Sequence, residues 1–91
     1  IDNNAVMDGF VITGGNANGT RYSWDKNGAG VYNFDVVGKG CNPVFRNCLL
    51  INNTAAGRGG GMHNEGGNTS PQLINCRFQN NLALSGGAIY N

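Results

Sequence analysis

Charge is scarce in this chain. Six of its 91 residues are Lys or Arg and five are Asp or Glu, for a net charge of +1. The cations Arg21, Lys26, Lys39, Arg46, Arg58 and Arg77 are scattered without a run. No basic stripe can form to neutralise phosphates, so no nucleic-acid partner is expected. Long apolar stretches are missing too. Nothing approaches the ~20 residues of a bilayer-spanning helix, and no membrane insertion is expected. Helix-forming periodicity is absent: no apolar stripe of 3.6-residue period runs for a useful length. Only three cysteines are present, Cys41, Cys48 and Cys76, too few and of the wrong parity for a disulfide framework. Yet 40% of the residues are hydrophobic, which sets the chain apart from charged, disordered polymers. All-β is the class that remains.

What the chain has instead is Gly and Asn, 16 of each, and a repeat. Residues 42–57 match residues 70–85 at an offset of 28 through Pro43/Pro71, Asn47/Asn75, Cys48/Cys76, Asn52/Asn80, Asn53/Asn81 and Ala55/Ala83. One residue then drops out and the match continues at 27 with Gly59/Gly86, Gly60/Gly87 and Asn64/Asn91. A first, degenerate copy begins near Ala5. Shifted by 38, it lays Met7 on Phe45, Phe10 on Cys48, Ile12 on Leu50 and Ala17 on Ala55. Periods of this length signal a solenoid, in which each repeat stacks on the last. The repeats span 5–33, 42–64 and 70–91 of one domain, and the first carries an insertion at 18–27. The pattern runs to both ends, so the chain reads as a fragment of a longer solenoid.

Within a repeat, apolar residues alternate with polar ones and are broken by Asn or Gly, as expected of short strands joined by bends. Leu73, Cys76, Phe78, Ala83 and Ile89 are expected to point inward, and Ile74, Arg77, Gln79 and Tyr90 outward. Asn tolerates left-handed bends, and its amide can bond the same Asn one coil away. Four ladders are expected: Asn33/Asn64/Asn91, Asn47/Asn75, Asn52/Asn80 and Asn53/Asn81. Cys48 and Cys76 should stack about 4.8 Å apart, as a buried reduced pair. A Cys41–Cys48 bridge is the competing arrangement.

The last repeat carries Phe78-Gln-Asn-Asn81 and Gly86-Gly-Ala-Ile89, an F-x-x-N followed by a G-G-A-I. The second carries Leu50-Ile-Asn-Asn53 and Gly59-Gly-Gly-Met62; the first keeps traces in Ile12-Thr-Gly-Gly15 and Gly30-Val31. In order and spacing these motifs resemble the repeats of the chlamydial polymorphic outer membrane proteins, and more broadly the right-handed parallel β-helix repeats of bacterial secreted and surface proteins. The resemblance implies a right-handed parallel β-helix of about three coils. It also implies an extracellular or bacterial cell-surface location, with a role in adhesion. The motifs belong to the scaffold and bring no catalytic residues with them.

Chemistry is thin by comparison. The acidic residues Asp2, Asp8, Asp25, Asp35 and Glu65 never share a repeat position, so no paired carboxylates of the glycosidase kind arise. No catalytic residues, cofactor or metal site are assigned. A calcium site using Asp25 or Glu65 with Asn and backbone oxygens is the one metal chemistry left open. The insertion offers Arg21, Tyr22, Trp24, Asp25 and Lys26, ring faces beside hydrogen-bonding groups, which suits a glycan or a surface protein; the plainer role for Trp24 is to cap the coil. Tyr32, His63 and Tyr90 share one repeat position and form a second candidate surface, an outward ladder of rings. The expected function is a structural and adhesive segment. The alternatives are the inert scaffold of a polysaccharide-degrading β-helix, or a filament subunit associating end to end through its exposed coils.

Overall fold

The structure, a computed structural model, describes residues 5–20, 23–35 and 40–91. Strands come in short runs because Gly and Asn interrupt the apolar alternation every two to four residues. The first repeat holds β1 (Val6–Asp8), β2 (Val11–Thr13), β3 (Asn16–Ala17) and β4 (Val31–Phe34), with a 3-10 turn at Ser23–Lys26 before β4. The second holds β5 (Val44–Arg46), β6 (Leu49–Ile51), β7 (Thr54–Ala55) and β8 (Met62–Glu65). The third holds β9 (Gln72–Ile74), β10 (Arg77–Gln79) and β11 (Ile89–Tyr90). The protein is all-β, and every strand pair is parallel.

Each sheet collects one strand from each repeat, in the orders β1-β5-β9, β2-β6-β10 and β4-β8-β11, with β3-β7 as a two-stranded fourth. An isolated bridge, Thr54 to Leu82, extends the fourth into the third repeat. The register follows the sequence offsets. Met7 pairs with Phe45, Ile12 with Leu50 and Ala17 with Ala55. Phe45 pairs in turn with Leu73, and Leu50 with Phe78. Across β4, β8 and β11 the offset changes to 31 and then 27, pairing Tyr32 with His63 and His63 with Tyr90.

The bends explain the Gly and Asn content. Left-handed backbone recurs at three equivalent corners: Gly9, Asn47 and Asn75; Gly14, Asn52 and Asn80; Gly28, Gly59 and Gly86, with φ between 52° and 78°. Among L-residues, Asn enters this region at low cost and Gly at none. Each repeat therefore turns three times with the same chemistry.

The middle repeat owns most of the core. Phe45, Leu50 and Met62 are fully buried, joined by Cys48 and by Val31 of the first repeat. Met7 and Ile12 cover this cluster from one side, and Cys76, Phe78 and Ile89 from the other. Leu73 has the repeat position of Phe45 but is 36% exposed, because among the described residues no further layer lies over it. Ile74, Arg77 and Gln79 are exposed. The molecule is a slab of 31 × 29 × 15 Å, and its short dimension suits three strands at about 4.8 Å spacing with their side chains.

Candidate functional site

The insertion leaves the sheets after β3 and returns before β4. Its neck is tied: Gly19 N–H donates to Asp25 O at 3.0 Å. Gly57 N–H donates to Lys26 O, and Arg58 N–H to Asn27 Oδ1, each at 2.9 Å. Seven residues more than the second repeat has here thus emerge without disturbing the register of β4 on β8. Arg21 and Tyr22 lie outside the described residues, and of Trp24 the backbone alone is described, within the 3-10 turn. Asp25 lies in the same turn and has an interaction partner of its own.

Tyr32, His63 and Tyr90 come together. The imidazole of His63 lies between two phenols, 5.0 Å from the Tyr32 ring at 36° and 5.3 Å from the Tyr90 ring at 4°. Parallel register puts them in line, because β4, β8 and β11 pair at these very residues. The column points away from the core, yet His63 is 2% exposed. Its two faces are taken by the tyrosines, so any ligand meets the edges of the column instead.

Period-two alternation adds neighbours that the repeat alignment passes over. Glu65 and Phe34 stand two residues on from His63 and Tyr32, on the same face of their strands. Tyr32 donates its hydroxyl hydrogen to Glu65 Oε2, and His63 Nε2 lies 3.5 Å from the same oxygen. Phe34 meets Tyr32 edge to face at 6.2 Å. On the far side, the Arg58 guanidinium sits 4.9 Å over the Tyr90 ring, a cation–π contact. The signal in the sequence was the i, i+2 spacing, not repeat identity.

Burial sets the electrostatics. Desolvation, reinforced by the hydrogen bond to Glu65 and by its charge, raises the Tyr32 pKa well above the usual phenol value. Desolvation also lowers the pKa of His63. Glu65 opposes that shift, and Arg58 adds to it. Nε2 is the nitrogen that faces Glu65, and Nδ1 is buried without a hydrogen-bond partner. The column holds one carboxylate, and among the described residues no three His, Cys, Asp or Glu side chains gather to hold a metal.

The Asn positions fall into different roles. Asn33 Nδ2 donates to Asn64 Oδ1, and Asn64 Nδ2 to Asn91 Oδ1, both at 2.8 Å. Asn75 Nδ2 donates to Asn47 Oδ1 at 2.6 Å. Asn53 Nδ2 donates to Asn81 Oδ1 at 3.1 Å. Asn52 and Asn80 are exposed left-handed corners, and their side chains are not bonded to each other. There the residue serves the backbone alone. Cys41, Cys48 and Cys76 form no disulfide, so the Cys41–Cys48 bridge is not made. Cys48 Sγ lies 3.5 Å from Met7 O and Cys76 Sγ 3.3 Å from Phe45 O, each leaning on the residue at one repeat position of the neighbouring layer.

Comparison of the chain with protein-family models, with curated proteins and with solved structures gives no match.

Proposed function

We propose that the chain is a segment of a right-handed parallel β-helix, of about three coils, in a bacterial protein that is secreted or held at the cell surface. Its role is structural and adhesive, without catalysis of its own: the coils form a scaffold from which loops meet a glycan or a partner protein. The observation that carries this reading is the insertion of the first repeat. It departs from the sheets and rejoins them through Gly57 and Arg58 with the strand register intact. A rigid repeat with one extended loop is how solenoids present a binding face, and rigid support lowers the entropy cost of binding through a loop.

The residue types of the insertion, Tyr22 and Trp24 in sequence with Arg21, Asp25 and Lys26, favour a sugar, whose apolar face stacks on a ring while its hydroxyls take hydrogen bonds. The test is a glycan array probed with the 91-residue chain and with Trp24→Ala. Binding by the parent, lost in the variant while its unfolding midpoint is unchanged, supports the reading. Equal binding by both removes the loop from the contact surface.

A further inference from the structure

The end of the stack formed by the third repeat is chemically distinctive. At one corner all N–H groups point the same way. Those of Gly28, Ala29, Gly30 and Val31 donate to the carbonyls of Arg58, Gly59, Gly60 and Gly61 at 2.9–3.2 Å. Those of Gly59, Gly60, Gly61 and Met62 donate onward to Ser85, Gly86, Gly87 and Ala88, again at 2.9–3.2 Å. The equivalent groups on Gly86, Gly87, Ala88 and Ile89 meet no carbonyl among the described residues. They close the column as four parallel donors.

A second set of groups is open at the same end. Asn53 Nδ2 donates to Ile12 O at 3.0 Å, and Asn53 Oδ1 accepts from Gly15 N–H at 2.9 Å. One layer on, Asn81 Nδ2 donates to Leu50 O at 2.8 Å, and Asn81 Oδ1 accepts from Asn53 N–H at 3.0 Å. Each Asn thus satisfies two backbone groups of the layer before it. The next pair in the series, Asn81 N–H and Phe78 C=O, has no such side chain. In the same repeat Leu73 is 36% and Leu82 65% exposed.

We infer that the face made by β9, β10 and β11 receives a fourth coil of the same repeat type, one that places an Asn level with Asn81. The inference rests on the coil reading above and names what its open face binds. The interface between the second and third repeats is its template, continued by one layer. A second copy of this chain does not meet the requirement by either end. Third repeat against third repeat sets the four donors of Gly86–Ile89 against the same four donors. First repeat against third brings Gly15 to the level of Asn81, with no amide to offer. Gly15 cannot be exchanged for Asn either, since a Cβ there would lie 2.0 Å from the Ala29 carbonyl oxygen.

The test appends a second copy of residues 65–91 directly after Asn91, as Glu65 follows Asn64 in the chain itself. Amide hydrogen exchange is read in the parent, in the extended chain, and in the extended chain whose appended counterpart of Asn81 is Gly. The extension should slow exchange at Asn81 and Gly86–Ile89 by about 100-fold, as pairing does elsewhere in a fold. The Gly variant should give back roughly tenfold of that at Asn81, the effect of one hydrogen bond, and both chains should sediment as monomers. Unchanged exchange at these amides, or equal protection with Gly, overturns the inference and leaves the coil reading standing. So does parent protection that grows with concentration as the chain oligomerises. Fast exchange at Leu50 and Met62 in the parent overturns the coil reading, and the inference falls with it.

Discussion

Asn52 and Asn53 are adjacent, of one type, and repeated together as Asn80 and Asn81, yet replacing each by Gly should have opposite consequences. Asn52 is an exposed corner with φ of 58°. Gly adopts that angle freely, and its larger entropy loss on folding roughly cancels the relief, so Asn52→Gly should change stability by less than about 1 kcal/mol. Asn53 is fully buried, and its side chain satisfies Ile12 O and Gly15 N–H. Asn53→Gly strands both groups. An unsatisfied buried group costs about 1–3 kcal/mol, and since Gly15 is only half-buried the lower part of that range applies, or about 2–4 kcal/mol for the pair. A chain of this length has roughly 5–14 kcal/mol in total. With a urea slope of about 1 kcal/mol per M, the midpoint should fall by about 2 M or more for Asn53→Gly and by under about 1 M for Asn52→Gly. Urea titrations followed by far-UV circular dichroism read both. Equal midpoints for the two variants would refute the assignment of these bonds.

Two further outcomes follow from burial. Because His63 is held below the ordinary histidine value of about 6.5, between its folded pKa and that value the unfolded chain carries the extra proton. Its stabilising share is therefore whole above about pH 6.5 and lost as pH falls through the folded value. The urea midpoint of the parent should drop relative to His63→Phe, which keeps a ring between the tyrosines, as pH is lowered from 7.5 to 4.5; parallel curves count against it. In the core, Leu50→Ala should cost about 2–5 kcal/mol, whereas Leu73→Ala, one layer out and part-exposed, should stay within about 1 kcal/mol in thermal unfolding.

How much of this was legible beforehand depends on what constrained each residue. The parallel pairing of Met7 with Phe45 and Ile12 with Leu50 could be read across an offset of 38, although in neither pair are the two residues identical. Apolar character at an inward position survives where identity does not, because packing tolerates exchange among similar volumes. The contacts around His63 were less legible. Repeat alignment compares one layer with the next and is silent about residues two apart on one strand, so Glu65 and Phe34 joined the column unannounced. The burial of His63 was hidden for the same reason: an outward direction implies exposure only when the neighbouring layers are small, and here both are tyrosines. The aligned Asn pairs hid another distinction. Backbone conformation and side-chain bonding select the same residue, and alignment cannot tell which of the two is at work.

The first repeat shows how the two demands separate when only one is kept. Its corners at Gly9 and Gly14 hold the left-handed angle of Asn47 and Asn52, and give up the amide. At the first corner the lost ladder partner is replaced from the adjacent position: Asn47 Nδ2 donates to Asp8 Oδ1 at 3.1 Å. At the next inward position, Gly15 keeps the backbone donor that Asn53 requires and has no side chain to reach a preceding layer. So at this position the first repeat serves the second through its backbone alone. The third repeat is built the other way, with Asn at all three equivalent positions, Asn75, Asn80 and Asn81, and a row of N–H groups directed outward. The two outer faces of the described stack thus carry different chemistry, and at Gly15 the first repeat keeps the one group that the second contacts there.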